Sequence, residues 1–147
     1  KAGSTTLRGE YISGKQPGLS TSSRSPNEKT PISKDIYNRE FSGGYFYLVH
    51  ALPKLPLEFV AKYDIYDPNT AVSGNEVGEV PGTSSKSTNE TDLKYTTLGL
   101  GLNWYYDQNI RLMAYYDMVT NETSSKLSGW TADQQDNIFT LRMQVKF

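Results

Sequence analysis

The sequence contains no cysteine. That excludes a disulfide scaffold, a thiolate metal site and a cysteine nucleophile. It contains one histidine, His50, set in an aromatic segment without the partners that a His-based triad or a zinc site requires. Neither sign of charge is in surplus: 15 Lys and Arg stand against 16 Asp and Glu, for a net charge of -1. A strongly basic nucleic-acid-binding surface is therefore excluded. No apolar run approaches the ~18 residues of a membrane-spanning helix. What the chain does have is aromatic content of 12%, with 11 tyrosines, in an otherwise polar composition.

The hydrophobic pattern has period two. From Phe139 to Phe147 every odd position is apolar (Phe139, Leu141, Met143, Val145, Phe147) and every even one polar, including Arg142 and Lys146. A strand places those two sets on opposite faces, whereas a helix would mix them. Similar alternation predicts six strands, at about 5–14, 37–52, 57–67, 92–106, 110–120 and 136–147. Most run near ten residues. That is longer than the ~5–6 usual in globular proteins and close to the ~9–11 of a tilted membrane-spanning strand.

The links sort by length. Stretches 15–36, 68–91 and 121–135 are long and polar; 53–56 and 107–109 are short. This is an all-β antiparallel up-and-down meander with all long loops at one end. Together with a clean apolar face it predicts a transmembrane β-barrel.

The apolar set includes Leu57, Phe59, Ala61, Tyr63, Ile65, Leu98, Leu100, Leu102, Ile110, Leu112, Ala114 and Tyr116, and carries no charge. The charged residues Arg8, Glu10, Glu58, Lys62, Asp64, Arg111, Asp117, Arg142 and Lys146 take the other, lumen-facing side. The aromatics read as two interfacial girdles, with Trp104, Tyr105 and Tyr106 at the short-link end and Tyr11, Phe41, Tyr66 and Tyr95 at the long-loop end. Six strands are too few to close a barrel and would leave two bare edges in lipid. The expectation is a C-terminal barrel segment whose remaining strands lie upstream or in another chain.

No catalytic constellation and no cofactor site is found. Asp64, Asp67, Asn69, Asn75, Glu76 and Glu79 could offer oxygens to Ca²⁺, but their spacing matches no EF-hand loop, and they read as a solvated acidic loop.

The terminal strand ending Val145-Lys146-Phe147 resembles the C-terminal assembly signal of Gram-negative outer-membrane barrels. Further segments are similar to the C-terminal portion of the phosphate-selective porin (porin O and P) family. They are Leu7-Arg8-Gly9-Glu10-Tyr11, Phe41-Ser42-Gly43-Gly44-Tyr45, Tyr63-Asp64-Ile65-Tyr66-Asp67-Pro68-Asn69 and Thr96-Thr97-Leu98-Gly99-Leu100-Gly101-Leu102-Asn103-Trp104-Tyr105.

The resemblance implies a diffusion pore of about sixteen strands, usually trimeric, in the outer membrane. It also implies periplasmic short turns, a terminal strand read by the barrel-insertion machinery, and passage of anions such as phosphate along basic residues. The family's constriction loop lies in the N-terminal half, outside this chain. Other readings stay open from the residues alone. The mixed charges could be scaffolding pairs in the wall. The barrel could be non-transporting, with loops that bind a partner or glycan. The chain could also be a soluble secreted β-sandwich.

Overall fold

The computed structural model describes residues 4–19, 36–78 and 88–147. Six strands form: β1 (Thr5–Leu19), β2 (Ile36–Ala51), β3 (Leu57–Asp67), β4 (Tyr95–Tyr105), β5 (Ile110–Asn121) and β6 (Ile138–Val145). They make one antiparallel sheet in the order β1-β2-β3-β4-β5-β6. Two single-turn 3-10 helices, Gly74–Glu76 and Glu90–Asp92, lie between β3 and β4. None of the described residues forms a helix long and apolar enough to cross a membrane; strands are the only long elements.

Each strand pairs with the next in uninterrupted register, so one choice of face propagates across the sheet. Leu48, Ala61, Leu100, Tyr116 and Phe139 lie in one cross-strand row. The neighbouring row, on the opposite face, is Tyr47, Lys62, Gly99 and Asp117. The apolar face is bare: Phe59, Tyr63, Leu98, Leu100 and Leu102 are exposed, and Leu141 is 71% exposed. Residues of the polar face are the more covered, with Val60, Thr97 and Asn103 buried. A soluble sheet buries its apolar face against another layer; among the described residues no second layer packs here. A continuous bare apolar surface of this kind suits hydrocarbon rather than water.

The short links are tight. Leu52 N–H donates to Leu57 O at 2.9 Å, and Lys54 takes φ 68° to close that turn. In the other, Asp107 Oδ1 accepts from the backbone N–H groups of both Asn109 and Ile110 at 2.7 Å. This Asx turn delivers Tyr105 opposite Arg111.

Several boundaries differ from the sequence expectation. β1 and β2 stay paired out to Leu19 opposite Ile36, past the expected end near residue 14. Gln16-Pro17-Gly18 reads as loop in the sequence, yet it is held opposite Arg39, Asn38 and Tyr37. β4 starts at Tyr95 rather than near 92, because Asn89 caps a 3-10 turn: its Oδ1 accepts from Thr91 N–H at 2.9 Å. β6 starts at Ile138, because Asn137 and Asp136 turn their side chains onto Val119 N–H and Asn121 Nδ2 instead of extending the ladder. The expected loop residues 20–35 and Glu79 lie outside the described residues.

Candidate functional site

The polar face is built by register, one cross-strand row after another from the short-link end upward. Nearest the short links, Tyr105, Arg111 and Gln144 align. Arg111 Nη2 donates to Gln144 Oε1 at 2.6 Å, and its guanidinium stands 5.8 Å from the Tyr105 ring centre. Tyr105 hydroxyl donates to Glu58 Oε2 at 2.6 Å, and Asn103 Nδ2 donates to the same oxygen at 3.3 Å. Lys146, just past β6, lines the same cleft as Tyr105 and Arg111. Arg142 lies opposite Met113 in the next row.

Higher up, Lys62 Nζ sits 2.7 Å from Asp64 Oδ2 and 3.9 Å from Asp117 Oδ1. The first is a charge-assisted hydrogen bond; the second is too long for a hydrogen bond and is coulombic only. Arg8 and Glu10 stand opposite Tyr47 and Tyr45. A cavity of about 310 Å³ opens between Tyr47, Lys62, Tyr115 and Arg142. Tyr115 fills part of this level because β4 carries Gly99 and Gly101 beside it. A Cβ on Gly101 would collide with the Tyr115 ring, and one on Gly99 with its hydroxyl.

The register puts Arg8, Glu10, Glu58, Lys62, Asp64, Arg111, Asp117 and Arg142 on one face, and Lys146 lies just past β6. Lys62, Asp64 and Asp117 are brought together; Arg8, Glu10, Arg142 and Lys146 form no ion pair among the described residues. The terminal-strand set Phe139, Leu141, Met143 and Val145 lies on the apolar face, and Phe147 is fully exposed.

The aromatics divide. Tyr11, Trp104 and Tyr106 share the apolar face, the last two in edge-to-face contact at 5.7 Å. Phe41, Tyr66, Tyr95 and Tyr105 do not. Tyr66 is opposite both Gly43 and Tyr95, in step with Lys62, and so lies on the polar face. These four lie on the polar side because the strand's two-residue alternation, and not distance from a loop, decides the face.

At the long-loop end the irregular chain is folded, not merely solvated. Arg39, Asp92 and Asn69 are completely buried. Asp92 Oδ1 accepts from Arg39 Nε at 2.7 Å and from Asn69 Nδ2 at 3.0 Å, and Asp92 Oδ2 accepts from Asn89 N–H at 3.0 Å. Arg39 shares the parity of Phe41 on β2, so this loop closes over the polar face.

Glu122 accepts from Gly74 N–H at 2.7 Å and from Lys94 N–H at 3.0 Å. Ser124 hydroxyl donates to Val77 O at 2.6 Å. Side-chain oxygens thus satisfy loop backbone groups that lack a ladder. The expectation of a solvated acidic loop is overturned at Asn69, and Asn75 is spent on Ser125. Among the described residues no three acidic or imidazole groups converge to hold a metal ion.

Sequence reasoning missed Arg39, Asp92 and Tyr115. Tyr115 was within reach: a tight turn at 107–109 pairs Tyr105 with Arg111, which forces Tyr115 beside Gly101. No periodic signal links Arg39 to Asp92 across 53 residues.

Chemically, the face offers fixed cations, carboxylates and phenols along a sheet. No curated protein and no solved structure matches the chain. The family profile for phosphate-selective porin O and P matches residues 23–147, and the chain belongs to that family of outer-membrane porin-type channels.

Proposed function

We propose that this chain forms part of the wall of a Gram-negative outer-membrane pore through which small anionic solutes, phosphate among them, diffuse passively. The polar face lines the lumen and the apolar face meets lipid. One observation carries the reading: from Leu57 to Val145 the register keeps Glu58, Lys62, Asp64, Arg111, Asp117 and Arg142 on one face and the large apolar row on the other, while the Lys15–Glu40 pair on the apolar side lies toward the long loops. In hydrocarbon, Lys or Arg on the outer face would cost ~2–4 kcal/mol at mid-height, so such sorting is the expected mark of a wall between lipid and water.

The cations differ in what they can do. Lys62 is held by Asp64 at 2.7 Å, which offsets its pull on a passing anion. Arg111, Arg142 and Lys146 lie together toward the short links, where the facing carboxylate, Glu58, is already occupied by Tyr105 and Asn103. Anion attraction is therefore assigned chiefly to Arg111, Arg142 and Lys146, with Arg8 further up.

The free edges of β1 and β6 pair with the remaining strands, upstream or in another chain. Tyr11, Trp104 and Tyr106 sit in the membrane interfaces. The barrel-insertion machinery reads the alternation from Phe139 to Phe147, and a homotrimer is the assembled form.

Planar-bilayer recording of the complete barrel tests this. In a KCl gradient the reversal potential is expected on the anion-selective side, and phosphate is expected to reduce chloride current. Arg111→Gln with Arg142→Gln is expected to move the reversal potential toward zero. Absence of ion-permeable steps, or an unmoved reversal potential in the double variant, overturns the reading.

A further inference from the structure

We propose that the polar face carries, toward its long-loop end, a stacking row for neutral, hydroxyl-rich solutes of the carbohydrate class. The row is Phe41, Tyr66 and Tyr95, on three adjacent strands. Ring centres are 6.3 Å apart for Phe41 and Tyr66 and 5.8 Å for Tyr66 and Tyr95, with the planes tilted 45° and 53°. Tyr45 joins from the next row, and Tyr45 and Tyr95 are each 41% exposed.

These rings are seated rather than loosely placed. Gly14 lies under Phe41, where a Cβ would come within 3.1 Å of the ring. Gly43 lies under Tyr66, where the distance would be 3.0 Å. Phe41 and Tyr66 each lean over a neighbouring strand that has given up its side chain there, and both stay half-exposed.

Tyr66 and Tyr95 of the row line a cleft of about 270 Å³ together with Glu10, Ile12, Tyr45 and Asp64, and Phe41 stands beyond Tyr66. That is close to the lower end of ordinary small-molecule sites, ~300 Å³. A sugar ring has two faces of C–H bonds and a rim of hydroxyls. The C–H faces pack on aromatic rings, whose faces carry partial negative charge. The rim hydroxyls can donate to the carboxylates of Glu10 and Asp64 and exchange hydrogen bonds with the phenols. A few placed polar groups around apolar surface are what orient a small ligand.

The charge pattern argues against an anion here. Lys62, on the same face, is taken by Asp64, and Glu10 has no ion pair among the described residues. The arrangement also argues against an organic cation. Rings that hold such a cation enclose one point, whereas these are spread over three adjacent strands.

The inference rests on the reading that this face lines a pore, and its test separates the two. The complete barrel is recorded in planar bilayers with maltotriose added on the long-loop side. Reversible interruptions of the current are expected. Tyr66→Leu with Tyr95→Leu keeps apolar bulk but removes two ring faces, and is expected to weaken the block about tenfold or more. Open-channel conductance and the heat-modifiable gel shift of the folded barrel are expected to stay unchanged.

Steps without maltotriose block, a block unaltered in the double variant, or block by tetramethylammonium in place of the sugar would overturn the row and leave the pore. Calorimetric titration of the detergent-solubilised barrel with maltotriose covers the converse. Binding without conductance would retain the row and overturn the pore, and no binding would end the row.

Discussion

Asp92 is the single residue on which the long-loop end depends most. It is wholly buried and serves three donors, from Arg39, Asn69 and Asn89. A buried ion pair is a modest source of net stability, because desolvation offsets much of the attraction. Breaking it is different, since one charge is left alone in a dry site. Asp92→Ala is expected to destabilise by about 3–5 kcal/mol, and Asp92→Asn by less, because the amide still accepts from Asn69. Urea titration of the folded barrel in detergent, with limited proteolysis of the 68–94 loop, measures both.

Tyr115 and Gly101 form a second residue-scale device. Gly101→Ala drives a methyl into the phenol ring and is expected to cost about 1–3 kcal/mol. The same change in a Tyr115→Ala background should cost far less. A double-mutant cycle gives the coupling directly, and equal costs in both backgrounds would show that the ring does not occupy that space.

At the scale of the strand, two-residue alternation is what made the fold legible. β3 and β5 start where expected, directly after the short links, and the register follows from those links. Asp107 illustrates how: one carboxylate oxygen holds two N–H groups, which fixes where β5 begins relative to β4. Legibility fails where alternation stops. Gln16-Pro17-Gly18 has loop composition and a strand conformation. Phe41, Tyr66 and Tyr95 lie toward the loop-side ends of their strands, where parity, not nearness to a loop, puts them on the polar face.

The strand faces can be tested with neighbours on β6. Thr140 and Leu141 are consecutive, both exposed, and on opposite faces. Leu141→Arg is expected to destabilise the vesicle-inserted barrel by ~2–4 kcal/mol, while Thr140→Arg, on the wet face, should change stability by well under half as much. Equal penalties would mean that the two faces do not meet different solvents.

For the whole molecule the decisive quantity is what satisfies the outer edges of β1 and β6. The other four strands are paired on both sides. An edge strand in hydrocarbon leaves alternate N–H and C=O groups without partners, at several kcal/mol each. No side-chain device offsets that along a whole strand. If this sheet is part of a membrane wall, as proposed above, the edge argument calls for a strand beside β1 and another beside β6. The loops add a second global feature. Glu122 and Ser124 tie the segment after β5 to the segment after β3, so these described residues form one connected layer.

Hydrogen exchange on the complete protein in detergent distinguishes the possibilities. If β1 and β6 are paired within a closed barrel, the amides of these strands that point away from β2 and β5 exchange as slowly as those in β3 and β4. If the sheet stays open, those outward amides exchange within the mixing time while their inward neighbours remain protected. The alternating pattern of fast and slow amides along β1 and β6 would then mark a bare edge, and its absence along the whole length of both strands marks closure.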